Sequence, residues 1–145
     1  MRARVSVTAA LLALSGICSA CVGKAEPFRR IGELNLRALA VYVVAPVYPA
    51  NLASTGTEGV AVSEIEISSD GFVRKVGILE APHPEIAAAV EVALRQWRFN
   101  LPPLPGPPAR VPARGKLTYY FVVRSGRGAV LAPSERGAQS SPLRP

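Results

Sequence analysis

The sequence predicts a small α+β domain in which one helix covers an antiparallel sheet made of a hairpin and a last strand. Three observations carry this. Two alternating apolar runs, Val60 to Ile67 and Phe72 to Leu79, flank Asp70 and Gly71. An amphipathic run, Glu85 to Trp97, follows them. A third alternating run, Leu117 to Val123, closes the apolar part of the chain. Hairpin, helix, strand is the order of an α+β unit with a helix lying across a sheet.

In the first run Ala61, Ser63, Ile65 and Ile67 share one face, and Val60, Val62, Glu64 and Glu66 share the other. Asp-Gly between such runs is a strong short-range hairpin signal. In the helical run Ile86, Ala89, Val90, Ala93, Leu94 and Trp97 fall on one face. Glu85 in its first turn and Arg95 and Arg98 at its end suit the helix dipole. Trp97 is read as core. Six prolines between Asn100 and Pro112 impose an extended loop. In the last run Leu117, Tyr119, Phe121 and Val123 alternate with Thr118, Tyr120 and Val122. As the last periodic segment, it is expected at the sheet edge, where unpaired backbone groups are protected or used. Ile31 to Val44 fits both a strand and a helical stripe, and Pro46 and Pro49 end it.

The N-terminus has the order of an export signal. Arg2 and Arg4 precede an uncharged, mostly apolar run from Val5 to Val22, which ends in small residues. Ser19 and Ala20 before Cys21 resemble the lipid-attachment site of bacterial lipoproteins, although Cys18 stands where that motif has a Leu-like residue. Lipidation at Cys21, simple cleavage after Ala20 and an uncleaved anchor all remain open, since about 20 apolar residues can span a bilayer. The organisation expected is a signal over 1–20, a linker with an undecided element over 21–44, a domain over 45–124 and a disordered tail over 125–145. The location expected is the periplasm or cell envelope.

Composition limits the chemistry. The chain has a single His, His83, a single Asp, Asp70, and two Cys, both beside the signal. His83 lies between two prolines and Asp70 serves a turn, so they make no Ser-His-Asp arrangement. Three or four His and Cys ligands for zinc are lacking in the body of the chain. Neither catalysis, a metal nor a cofactor is expected. The formal net charge is +7, and from Val92 to Ser134 there is no acidic residue. Arg95, Arg98, Arg110, Arg114, Lys116, Arg124 and Arg127 make that stretch basic. It favours an anionic partner. For an exported chain, lipid, cell-wall polymer or an acidic protein segment fits better than nucleic acid.

The spacing of the parts resembles a known family. Pro46-Val47-Tyr48-Pro49, Gly56 and Gly59, Asp70-Gly71, Trp97-Arg98-Phe99, Pro102 or Pro103 with Gly106, and Tyr119-Tyr120-Phe121 occur in the order found in the C-terminal domain of the TonB energy-transducer family. The resemblance covers about Ala45 to Arg124. It implies a module that docks outer-membrane transporters by adding a partner segment to the last strand, and so a link to transmembrane transport. On this chain the docking strand is Leu117, Thr118, Tyr119, Tyr120, Phe121, Val122 and Val123. Two departures weigh against force transmission. The apolar segment contains no His, and the 23 residues between Val22 and Pro46 span at most ~80 Å. A structural adaptor holding anionic envelope components through the basic face is the alternative function.

Export predicts a processed N-terminus. Mass spectrometry of the mature protein should find Cys21 acylated or a free terminus beside it. An intact segment from Met1 to Val22 in envelope material would refute this.

Overall fold

The computed structural model describes residues 28–133. In chain order these form β1 (Arg29–Ile31), α1 (Glu33–Leu39), β2 (Ala40–Tyr42), α2 (Ala50–Ser54) and β3 (Gly59–Ile67). They continue with β4 (Val73–Glu80), α3 (Pro84–Arg95), β5 (Arg98–Phe99), β6 (Ala113–Arg124) and β7 (Arg127–Leu131). The main sheet runs β1-β6-β3-β4, with β7 also paired to β6, and β2 and β5 form a small second sheet. All pairs are antiparallel except β1 with β6, which is parallel.

The α+β architecture follows from two apolar periods. On β3, Ala61, Ser63, Ile65 and Ile67 are buried, one of the two faces that alternation separates. Ile65 and Ser63 stand opposite Gly115 and Leu117 of β6, whose Ala113, Leu117, Tyr119 and Phe121 are also buried. The buried Ser63 hydroxyl is satisfied, since its Oγ donates to the Leu117 carbonyl at 3.1 Å. Against this face lies α3 with Ile86, Val90, Ala93 and Leu94 buried. Its start is fixed by Pro84 at the first turn and by His83, whose Nδ1 accepts from the Glu85 amide at 3.3 Å.

Trp97 lies just past the end of α3 rather than within it, and is 1% exposed. Its indole Nε1 donates to the Val44 carbonyl at 2.8 Å, and its ring lies 5.9 Å from that of Phe99. Asp70-Gly71 belongs to a longer loop than a two-residue hairpin. Gly71 N donates to the Ser68 carbonyl at 2.9 Å and Ser68 N to the Phe72 carbonyl at 2.8 Å. Gly71 has φ +86°, and a Cβ there would meet the Phe99 carbonyl oxygen at 1.9 Å. Glycine is required for that left-handed backbone and for the close pass of β5.

Four expectations are corrected. The undecided stretch is both kinds of element, a helix to Leu39 and a strand from Ala40. The last long strand begins at Ala113 rather than Leu117. Residues 125–131 are a turn and a strand rather than the start of a disordered tail. Consequently β6 is an interior strand, not an edge. Ser125 and Gly126, with φ of 48° and 72°, form the two-residue turn that returns β7 along β6. Positive φ at both central residues matches the right-handed twist of the flanking strands.

Trp97→Ala removes the largest buried side chain and an indole hydrogen bond. Denaturant unfolding should show a loss of about 3–5 kcal/mol, as for other large core truncations.

Candidate docking edge

In an antiparallel ladder each residue directs its N–H and C=O to the same side. Thr118 N donates to Glu33 Oε1 at 2.8 Å, on the side away from β3. The same parity turns the backbone groups of Tyr120 and Val122 away from β3, where both pair with β7. Leu117, Tyr119, Phe121 and Val123 direct theirs toward the β3 side. Accordingly, the Leu117 carbonyl accepts from Ser63 and Val123 N donates to Glu58 Oε1 at 2.5 Å. The predicted docking residues therefore split into a set bound to β3 and a set that faces outward.

That outward side is filled by three pieces of the chain itself. At the start of β6, β1 lies alongside, with Arg29, Arg30 and Ile31 opposite Ala113, Arg114 and Gly115. In the middle, α1 presents side chains in place of a strand. Glu33 accepts from Thr118 N and, at 3.0 Å, from Thr118 Oγ1, while Arg37 donates to the Thr118 carbonyl at 2.8 Å and to Glu33 at 3.0 Å. A carboxylate thus stands in for a carbonyl and a guanidinium for an amide. At the end, β7 pairs from Leu131 opposite Tyr120 to Arg127 opposite Arg124.

The opposite margin of the sheet is β4, and its design is defensive. Its register with β3 shifts twice, leaving Arg74 and Leu79 as extra residues. Arg74 and Lys75 are exposed there. Bulges and exposed cations are the usual guards against unwanted strand pairing.

The sequence reading did not single out Glu33 and Arg37 as neighbours of β6. The available signal was their i,i+4 spacing, which marks a helical ion pair but not what the pair contacts. Several of the basic residues are engaged within the chain. Arg95 pairs with Glu91, and Arg114 pairs with Glu66 while lying 4.5 Å from the Phe28 ring. Arg98 caps the Gln96 and Trp97 carbonyls and lies 4.5 Å from the Phe72 ring. Cys21 lies outside the described residues. Among the described residues no three His, Cys, Asp or Glu side chains cluster to hold a metal.

Tyr119 underlies the edge. It is 4% exposed, its hydroxyl meets no hydrogen-bond partner of good geometry among the described residues, and Arg37 lies 5.0 Å from its ring. Burial pushes its phenol up to about 12, against the pull of the Arg37 guanidinium. A raised folded-state value means stability that is present below pH 10 and is lost as pH rises toward 12. Tyr119→Phe should remove that alkaline loss in thermal melts between pH 9 and 12. At neutral pH it should be neutral or stabilising by about 1 kcal/mol, because a buried hydroxyl without a well-aligned partner is removed.

The family described as Gram-negative bacterial TonB protein C-terminal matches residues 44–123, more than half of the chain. No curated protein matches the chain. Among solved structures, the solution structure of the Pseudomonas aeruginosa TonB C-terminal domain is similar, with 26% identity and a TM-score of 0.50. That alignment covers 61% of this chain and 88% of the Pseudomonas domain. The hairpin, α3 and nearly all of β6 lie within the matched segment, and with it the chain belongs to the TonB C-terminal family.

Proposed function

We propose that this chain is a cell-envelope binding module that docks a partner segment by strand addition along Leu117–Val123 of β6. The partner fitting the family is an outer-membrane transporter, and the location is the periplasmic side of the envelope. The observation that carries the reading is the state of the outward side of β6. It already takes a parallel strand, a side-chain pair and an antiparallel strand from its own chain, so it is competent for pairing along its length. The β4 margin, with its bulges and cations, is not. Main-chain hydrogen bonds would supply affinity, and the outward side chains of Thr118, Tyr120 and Val122 would supply specificity.

Proline substitution separates the two backbone sides. Thr118→Pro removes an outward donor and leaves the β3 ladder intact, whereas Tyr119→Pro strikes that ladder. Thr118→Pro should melt as a cooperative fold yet lose capture of outer-membrane proteins from envelope extract. Tyr119→Pro should fail to fold. Capture by the wild type should tolerate added salt, since backbone pairing is not an exposed charge effect. Full capture by folded Thr118→Pro, with loss on neutralising Arg110, Arg114 and Lys116, would replace strand docking by adhesion through basic residues.

A further inference from the structure

The segments that fill the outward side of β6 share a position in the chain. β1 and α1 end at Leu39, before the family-matched segment begins at residue 44, and β7 starts at Arg127, after that segment ends at 123. The matched segment by itself would leave the outward side of β6 bare. Both flanks fold back onto that one edge. We propose that they form a self-closure of the docking edge, with the Glu33–Arg37 pair on Thr118 as its clasp. This rests on the docking edge proposed above and concerns its regulation.

Each flank taken alone is less deeply anchored than β3, with three register pairs from β1 and five from β7. β3 gives nine register pairs to β6 and buries Ala61, Ser63, Ile65 and Ile67. β1 gives three pairs, and Leu36 is the one buried residue of α1. No residue of β7 is fully buried. The clasp is partly open to solvent, with the Arg37 and Glu33 side chains 18% and 24% exposed. Its fit depends on Gly115, where a Cβ would come within 2.8 Å of both the Ile31 carbonyl oxygen and Leu36 Cδ2.

A tethered occupant lowers the apparent affinity of any competing strand by the fraction of time the edge is open. An incoming segment must therefore displace a flank before it pairs. Loosening the clasp should raise affinity without adding a contact.

The test uses the full chain and a labelled synthetic peptide of residues 28–39, the closing segment itself supplied in trans. Wild type is compared with the Glu33→Ala/Arg37→Ala double variant and with Leu36→Ala. Amide exchange over 116–119 and peptide affinity by anisotropy are measured on each. Closure predicts exchange faster by at least about tenfold in the variants, and peptide binding tighter by a similar factor. Unchanged exchange in both folded variants overturns the closure. Faster exchange with unchanged peptide affinity also overturns the closure, because the flank then does not compete for the edge, whereas strand docking falls separately with full capture by folded Thr118→Pro. Should the variants fail to fold, Thr118→Val, which removes only the Oγ1 contact to Glu33, carries the same measurements.

Discussion

The structure depends on one strand being paired on both sides along most of its length. β6 runs from Ala113 to Arg124 and forms hydrogen-bonded ladders with β3, β1 and β7. Its inward residues Ala113, Leu117, Tyr119 and Phe121 are buried with Ile65, Ile67 and the α3 stripe. An apolar face this long is favourable only if its backbone polar groups are also satisfied, because an unpaired buried group costs about as much as a lost hydrogen bond. The β3 side solves this with a continuous ladder. The other side solves it in pieces.

The pieces show how a side-chain pair can substitute for a strand. Between β1 and β7 the edge at Thr118 faces a helix, whose own backbone groups are committed to its axis. Glu33 and Arg37, one helical turn apart, supply the missing acceptor and donor. The arrangement needs α1 close to β6, and Leu36 over Gly115 provides that closeness. Packing and hydrogen bonding here share one cause, the absence of a side chain at residue 115. Farther along, Gly128 has a similar role under Tyr48, where a Cβ would meet the ring at 2.2 Å. The ring lies 5.7 Å from that of Phe121 and its hydroxyl donates to the Thr57 carbonyl.

The two margins of the sheet thus have opposite characters. β4 is exposed but irregular, with Arg74 and Lys75 at its bulged start. The outward side of β6 is regular but covered. Among the described residues, regular pairing geometry is available to a partner where the chain's own flanks now sit. In the proposed reading, docking and self-protection use the same backbone atoms.

The amino-acid sequence by itself determined which residues share a face. Period-two alternation grouped Ala61, Ser63, Ile65 and Ile67 on one strand and Leu117, Tyr119, Phe121 and Val123 on another, and the helical period grouped Ile86, Ala89, Val90, Ala93, Leu94 and Trp97; all but Val123 and Ala89 are buried. Such patterns are legible because burial of one face acts on every second or every third-to-fourth residue of a long element. Lateral neighbours were decided only by the tertiary structure. β1 has three residues and β7 five, too few to show a period, and β7 contains Gly128 and Ala129, which have little strand preference of their own. Ser125-Gly126 could be read as a turn, but not as one that returns a strand to β6. Likewise the Glu33–Arg37 spacing reveals a helical pair, while its contact with Thr118, 85 residues from Glu33, exists only once Leu36 has docked on Gly115. Side-chain period records which way a residue faces, and backbone hydrogen bonds, being the same for nearly every residue, leave no mark of which strand comes next.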